Sequence, residues 1–506
     1  MRGDSASAVW SRLDGIKRAL MVRIERYAAL TIPKVCLPGG ATTYNTEQSH
    51  DYQSLGAQAV NHVVNKLMVA IAAPSRPFFR VQAGPTTAKE MAAAKVSETD
   101  LGTILANLER DSVKELDAKG QRPKLYQALR HLVITGNVLM ILDKDHIRIL
   151  GMKYFCVKRN VKGEVHTLVI RESVFFDELD PNIRKLFGTR YHDETKVDHY
   201  KLIKRNPGPA GGYTMTQWID ETKLPKEWDA RWSEEKMPYR VLTWDLADEA
   251  DYGTGLVEDY AGDFEAMSVL AQATCEGGVM GTEFRWAVNP TGQTSVDDMN
   301  NSRSGDTIAG NPKDVGVIQP NTANGVKMAM DLENKYSQRI ARGFLLQSAV
   351  TRDAERVTAE EIRATAMELE SSFGGVYSSL APQLQKPLAM WLLATAGTAL
   401  HGTDLGIVII TGLDALSRNG DLENLRLALS DLAQLATAPP QLQGRIKWQD
   451  LSEFVGQGRG VDLRRFIKSD DEYAQEQQAL RAAETQQANE QAQGAAQADA
   501  QAQPPT

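Results

Sequence analysis

Apolar residues recur every three or four positions at the start of the chain, which is the pattern of an amphipathic helix. The stripe consists of Val9, Leu13, Ile16, Leu20, Ile24 and Tyr27. Much of the remaining surface of this helix is basic, with Arg12, Lys17, Arg18 and Arg23. Similar stripes over 60–71 and 101–116 predict two more helices, and Pro123 fits the first turn of a fourth.

The periodicity changes after Thr135, Gly136 and Asn137, where short β-rich runs alternate with turn residues. The runs are VLMILD, YFCVKRN, HTLVIRE, DHYKLIK, YTMTQWID and YRVLTW. We therefore predict that the stretch from about 135 to 245 is mainly antiparallel sheet.

A helical hairpin with a small β module at its tip is predicted beyond residue 255. The first helix should end near Gly277 and Gly278, and a second should span about 323–346. The forty residues between them are rich in Gly, Asn, Asp, Ser and Pro, with the strand-like runs EFRWAV and DVGVIQ at the two ends.

The second helix of the hairpin has an apolar side and a basic side. Tyr336, Ile340 and Phe344 line one side, whereas Lys335, Arg339 and Arg342 follow the i, i+4, i+7 spacing of the other. A polar loop, QSAVTRDAERV, follows at 347–357. A capping box at 358–361 then predicts the start of a new helix, which Pro382 and Pro387 should bend or interrupt.

Composition and charge narrow the function. A length of 506 residues allows two to four modules with cores of their own, and the net charge of -8 excludes a protein that wraps DNA with its whole surface. Three cysteines without a CxxC pair indicate neither a disulfide framework nor a zinc site. The apolar run at 388–400 is too short to cross a bilayer, so we expect a protein made and kept in the cytoplasm, without a signal peptide.

No motif of a known catalytic site is present in the sequence. There is no Gly-Lys dipeptide, so a phosphate-binding loop and a nucleotide-driven motor are excluded, and GxSxG, HExxH and GxGxxG do not occur. His192 and His199 flank two acidic residues, but their spacing suits a solvated strand or loop better than a metal site. The acidic pairs at 297–298 and 360–361 are explained by a loop and by helix capping. We expect no enzyme, no cofactor and no metal.

Three segments resemble the portal proteins, or head-to-tail connectors, of short-tailed bacteriophages (podoviruses, Autographiviridae-like). They are LTIPKVC at 30–36, the LxxALRHLVITGNVLMIL segment at 125–142, and SAVTRDAERVTAEEIRATAMELESSFGGVYSSLAPQLQKPL at 348–388. The likeness runs from about 8 to 470. It implies an α+β, mainly helical phage portal fold with wing, stem, clip, tunnel loop and crown, assembled as a ring that is usually dodecameric.

The resemblance also implies a division of the chain. The wing would span 1–254, with a helical N-terminal part followed by mainly antiparallel β-structure. A stem helix at 255–281, the clip at 282–322 and a second stem helix at 323–346 would follow. The tunnel loop would span 347–357, the wing long helix 358–412, the crown 413–470 and a flexible Ala/Gln-rich tail 471–506. Because the tail has almost no large apolar residue, we expect disorder there or a helix formed only on assembly.

The implied function is a conduit for double-stranded DNA at one capsid vertex during genome packaging and ejection. The implied partners are copies of the same chain, duplex DNA without sequence specificity, terminase, a tail adaptor protein, the major capsid protein, the scaffolding protein and internal core proteins, with no membrane. Such a protein is a virion component made in the host bacterial cytoplasm, and it initiates head assembly. The alternatives are another structural phage protein of the tail or internal core, or a metal-dependent DNA-processing enzyme.

Five basic residues are candidates for contact with DNA in the channel. Lys335, Arg339 and Arg342 would face the tunnel or the next subunit; alternatively they form a solvated helix face with ion pairs to Asp331 and Glu333. An acidic channel repels duplex phosphate, and scattered basic side chains would bind the phosphates only transiently.

The remaining candidates lie in the loop and in the β module. Arg352 and Arg356 would contact DNA or form salt bridges with Asp353, Glu355 or a neighbouring subunit. The other residues assigned to the tunnel loop are Ser348, Ala349, Val350 and Thr351. In the clip, the docking candidates are Trp286, Asn300, Asn301 and Arg303, although Trp286 could equally pack within the module. Trp391 is expected in the core.

Overall fold

The structure is a computed structural model. It describes residues 5–39, 51–72, 77–84, 98–207, 211–319, 322–346, 368–369, 371–395 and 405–409, together with positions 430 and 451. Contacts divide the chain into the units 1–412 and 413–506. In the second unit only Ser430 and Leu451 are described, and both are helical.

Four helices form the N-terminal part. They are α1 (Ala6–Leu30), α2 (Leu55–Ile71), α3 (Glu98–Ala118) and α4 (Arg122–Thr135). The Ser5 side chain caps α1 by accepting a hydrogen bond from the amide of Ala8, and Gly136 ends α4 in the left-handed conformation that favours glycine. These four predicted helices are confirmed.

One face of α1 differs from its prediction at two neighbouring positions. Ile16, expected to be buried, is 65% exposed, whereas Lys17, expected to be on the basic surface, is only 1% exposed. The Lys17 ammonium donates hydrogen bonds to the backbone oxygens of Met152 at 2.8 Å and Phe155 at 3.0 Å. The Asp14 carboxylate, at 3.2 Å, and two carbonyls distant in sequence therefore satisfy a buried charge that the local pattern places in solvent.

The predicted antiparallel region is confirmed as two sheets. The three-stranded sheet contains β2 (Asn137–Leu142), β3 (Ile147–Leu150) and β10 (Tyr239–Thr243), in the order β10-β2-β3. The larger sheet runs β4-β5-β6-β7-β8, and β9 also pairs with β7. Its strands are β4 (Phe155–Arg159), β5 (Val165–Phe175), β6 (Lys196–Arg205), β7 (Tyr213–Ile219), β8 (Thr222–Lys223) and β9 (Ala230–Trp232). A short helix, α5 (Pro181–Phe187), connects β5 and β6.

The helical hairpin follows. It consists of α6 (Leu256–Asp259), α7 (Ala261–Thr282), β11 (Arg285–Val288), α8 (Val296–Asn301), β12 (Val315–Ile318) and α9 (Ala323–Gly343). The predicted end of the first helix at Gly277 and Gly278 is wrong, because α7 continues to Thr282. Gly277 lies where α9 approaches closely: a Cβ there would be 2.8 Å from the Val326 side chain. This glycine serves helix packing and not helix termination.

The chain returns to the core after residue 368. Helix α10 (Gly375–Leu380), a π-helix (Ala381–Gln385) and α11 (Lys386–Thr395) follow one another, and the π turn contains the predicted interruption at Pro382. The range 358–412, expected to be a long helix, also contains the strand β13 (Leu405–Ile409). It forms an antiparallel pair with β1 (Phe79–Ala83), a partner that local periodicity does not show.

The remaining short elements are 3₁₀ turns at Pro33–Val35, Met152–Tyr154, Phe176–Glu178, Lys226–Trp228 and Pro312–Asp314. The largest apolar core joins α2, α4, β2 and α11 to the base of the hairpin. Among the described residues, no helix combines the length and the apolar character needed to span a membrane.

Candidate functional site

The hairpin is attached to the core through an aromatic cluster at its base. Phe344, immediately after α9, is completely buried, and its ring lies edge-on to Tyr260 at 5.3 Å and to Phe264 at 5.5 Å between centroids. Gly343 allows this approach, because a Cβ at that position would be 2.3 Å from the Tyr260 ring. The cluster therefore fixes the end of α9 against the start of α7.

Ion pairs add to this attachment. Arg23 of α1 pairs with Glu258 at 2.7 Å, and Arg26 pairs with Glu265. Arg339 of α9 pairs with Asp263 of α7 at 2.9 Å and stacks on the Tyr336 ring. All these contacts lie in the part of the hairpin nearest the core.

The three basic candidates of α9 share its exposed side but differ in their contacts. Arg339 has its acidic partner across the hairpin, and no ion pair to Asp331 or Glu333 occurs within the described residues. Lys335 and Arg342 are exposed and form no ion pair with any described residue. The sequence pattern therefore predicts the basic side of this helix but not the acidic partner of Arg339.

Arg342 lines a cavity of about 510 Å³ together with Asp245, Asp259 and Tyr260. Burial raises the pKa of the Asp259 carboxyl, and the nearby charges of Asp245 and Glu258 raise it further. An arginine without an ion pair to any described residue thus lies at the rim of an acidic cavity, shortly before the predicted tunnel loop.

An unusual concentration of apolar surface lies on the hairpin and its β module. Of twenty-one exposed large hydrophobic side chains in the described part of the chain, twelve fall between residues 269 and 332. They are Val269, Val279, Met280, Phe284, Trp286, Val296, Ile308, Val317, Ile318, Met328, Met330 and Leu332. An apolar surface of this kind is typical of a site that contacts another macromolecule.

The apolar positions form a stripe on each helix. On α7, Val269, Ala273 and Met280 are four and seven residues apart and exposed. On α9, Met328 shares the side of Lys335 and Arg342, because the three are spaced by seven residues, and Leu332 lies next to them. Sequence reasoning missed these positions, although the same helical spacing could have found them.

The β module exposes aromatic side chains near its root. Trp286 is 58% exposed and packs edge-on against Phe284 at 5.8 Å, and it lies opposite Val317 in the β11–β12 pair. Its indole therefore contacts the module through one edge and leaves most of its surface open. This arrangement is compatible with both roles considered for Trp286.

The other clip candidates are exposed around α8. Asn300 and Asn301 are exposed at the end of this helix, and the Arg303 amide donates to the Asp306 carboxylate at 2.6 Å. Asp297 and Asp298, expected in a loop, lie instead in the first turn of α8, where the Ser295 hydroxyl accepts from the amide of Asp298. That cap starts a helix in a segment of turn-forming composition.

Trp391 is in the core, as predicted. It is 8% exposed, and its indole nitrogen donates to the backbone oxygen of Asp143 at 2.5 Å. The tunnel-loop candidates fall outside the described residues: they are Ser348, Ala349, Val350, Thr351, Arg352, Asp353, Glu355 and Arg356.

No cluster of three or more potential metal ligands occurs in the described ranges. His199 hydrogen bonds to the Gln217 side chain at 2.9 Å, and burial lowers the pKa of this histidine to about 4. His192 is exposed.

Comparisons with known proteins show the family of this chain. Residues 4–467 match the model of a family described as bacteriophage head to tail connecting protein. A portal protein of Enterobacteria phage SP6 is 30% identical over 472 residues, which cover 92% of this chain and 90% of that protein. A portal protein of Pseudomonas phage phiKMV is 30% identical over 502 residues and covers 96% of both chains.

A chain from a solved structure, the neck of an empty GTA particle computed with C6 symmetry, is 12% identical to this chain; the match covers 74% of this chain and 85% of that chain, with a TM-score of 0.36.

Proposed function

We propose that this chain acts as a portal, a closed ring that conducts duplex DNA. The chain belongs to the family of bacteriophage head to tail connecting proteins and has a connector role. In this proposal the ring occupies one capsid vertex, initiates head assembly, and binds terminase during packaging and a tail adaptor protein afterwards. The ring itself is not an enzyme. We propose that the wing, stem, clip, tunnel loop and crown follow the division that the resemblance implies, with the first stem helix extended to Thr282 and the strand Leu405–Ile409 included in the wing segment 358–412.

The observation that carries the proposal is the unpartnered apolar surface of the hairpin. A closed ring of identical chains needs two different, complementary surfaces on each copy. The stripe of Val269, Ala273 and Met280 on α7 supplies one, and the side of α9 with Met328 and Leu332 supplies the other. We propose that the α9 stripe of one copy packs against the α7 stripe of the next.

Charge distribution supports weak contact with DNA. Each copy carries a net charge of -8, so the assembled ring repels a polyanion overall. Lys335 and Arg342 have no described ion-pair partner, whereas Arg339 is held by Asp263. Lys335 and Arg342 continue the side of α9 that carries Met328 and Leu332, but they lie nearer the base of the hairpin, beyond the apolar contact with the next copy. We assign transient, sequence-independent phosphate contacts to these two residues and a structural role to Arg339.

The assembly half of the proposal is tested by placing a charge in the stripe. Leu332→Glu should prevent ring formation, since a carboxylate would be buried against the apolar stripe of the neighbour. The matched control is Val161→Glu, which introduces the same group at an 86% exposed position outside the hairpin. Mass measurement and negative-stain images should show rings with a central hole for the control only. Normal rings from Leu332→Glu would refute the proposed interface.

The DNA half has a separate test. The double variant Lys335→Glu/Arg342→Glu should still form rings but reduce the yield of packaged DNA when it complements a phage lacking its portal gene. Lys162→Glu, at the exposed turn between β4 and β5, is the control for a change of surface charge. Unchanged packaging by the double variant would reject the phosphate contacts and leave the ring interface standing.

A further inference from the structure

One face of α2 contacts two described residues, Leu345 and Glu368, that lie on either side of the segment 347–367. His62 lies one helical turn before Lys66 on this helix, which is a rise of about 6 Å. The His62 ring nitrogen Nε2 is 2.9 Å from the backbone oxygen of Leu345, just before the segment. The Lys66 ammonium is 2.6 Å from the carboxylate of Glu368, just after it.

The backbone at Leu345, just after the end of α9, has an unfavourable conformation. Leu345 has a φ of 58°, in the left-handed region that leucine rarely adopts. The amide of Leu346 donates to the oxygen of Ala341 at 2.8 Å, which closes the end of α9. Strained backbone of this kind persists only where surrounding contacts hold it, and His62 and the buried Phe344 are such contacts.

The return point is held by a buried cation. The Lys66 side chain is 3% exposed, and its ion pair with Glu368 is shielded from water on the lysine side. Leu369, the next residue, is completely buried in the main core. A buried ammonium needs its hydrogen-bonding partners, so this contact fixes where the chain re-enters the core.

The neutral form of His62 fits its position beside the buried ammonium of Lys66. Burial lowers the pKa of His62, and the neighbouring Lys66 charge lowers it further, so the ring is neutral at neutral pH. A neutral imidazole with its proton on Nε2 donates to the Leu345 oxygen without placing a second buried cation beside Lys66.

We propose that α2 is an anchor for the two residues that flank the segment 347–367: His62 holds Leu345 at the end of α9, and Lys66 holds Glu368 where the described chain resumes. The anchor itself is independent of ring formation. Its importance for DNA rests on the proposed function, in which 347–357 is the tunnel loop.

Limited trypsin digestion of the purified full chain tests the anchor. Arg352 and Arg356 lie in the segment, while Arg303 and Lys313 in the β module serve as internal controls. His62→Leu should raise the initial rate of cleavage at 352 and 356 by about tenfold, the factor that corresponds to one lost hydrogen bond, and leave cleavage at 303 and 313 unchanged. His62→Gln, whose amide can donate to the same oxygen, should digest like the natural protein.

Three results would overturn the anchor: equal rates for His62→Leu and the natural protein, an equal rise at the module sites, or the same rise in His62→Gln. Glu368→Ala provides a second route at the other end and should also accelerate cleavage at 352 and 356 alone. If digestion changes as expected but the His62→Leu phage packages DNA normally, the anchor stands and the assignment of 347–357 as tunnel loop fails.

Discussion

Replacement of Gly343 by alanine sets two effects of opposite sign against each other. Alanine favours a helix over glycine by up to about 1 kcal/mol. The new Cβ, however, would be 2.3 Å from the Cζ atom of Tyr260 and 2.4 Å from its hydroxyl oxygen. The ring cannot move away freely, because it packs on Phe344.

The steric effect should win. Overpacking of this kind destabilises a protein by about 1–3 kcal/mol, and displacing Tyr260 also weakens an aromatic pair of about 0.5–1.5 kcal/mol. We therefore expect Gly343→Ala to lower the free energy of unfolding by about 1–3 kcal/mol after the gain in helix propensity is subtracted. In a Tyr260→Ala background the clash is absent, so the same substitution should become stabilising by up to about 1 kcal/mol.

Urea unfolding of the unassembled protein measures this reversal of sign. Gly278→Ala in α7 and Gly325→Ala in α9 are matched controls, since a Cβ at either position meets nothing within 4 Å, and both should stabilise. If Gly343→Ala stabilises the protein as much as these controls while Tyr260 is present, the close packing at the base of the hairpin is refuted.

Three further predictions concern the core and its titratable groups. Lys17→Met should lower the free energy of unfolding by about 3 kcal/mol in urea titrations, because two buried carbonyls lose their donor; a change near zero would contradict this. Burial raises the pKa of Cys36 and Cys156 to about 11, so at pH 8 only the exposed Cys275 should react rapidly with a thiol reagent, and fast modification of all three would oppose it. The pKa of His199 is lowered from 6.5 to about 4, so the unfolded chain takes up a proton at this histidine before the folded chain does, and stability should fall as the pH drops from 6.5 towards 4. His199→Gln should remove about 2 kcal/mol of that loss, measured by unfolding at both pH values. The same loss of stability in His199→Gln and in the natural protein would contradict this prediction.

Local sequence patterns predict where helices and strands lie, but they do not predict which residues of different elements contact each other. The alternation over 135–245 and the stripe of α2 depend on which residues are apolar, and burial follows those patterns. Lys17 shows the limit, because its acceptors Met152 and Phe155 come close only when α1 packs on the sheet. Gly277 shows the same limit, since a glycine required by helix contact has the same local pattern as one that ends a helix.

In the candidate site, too, the sequence predicts the exposed side of a helix but not the contacts between helices. The spacing of Lys335, Arg339 and Arg342 predicted one exposed basic side, and the structure places all three there. The acidic partners considered, Asp331 and Glu333, were those nearest in sequence. The observed partner, Asp263, depends on the register of α7 against α9, which no local pattern specifies.

The distribution of contacts along the hairpin explains why its surface is unusual. On α7 and α9 the buried residues lie at the base of the hairpin, where Phe264 and Ile340 join the core beside Phe344, while the distal parts of the two helices touch mainly each other. A two-helix hairpin with a two-stranded module cannot bury its own apolar side chains, since each element has only one neighbour. In the proposed ring, a second copy would cover the distal apolar surface, and the packed base of the hairpin would set the position of that surface relative to the core.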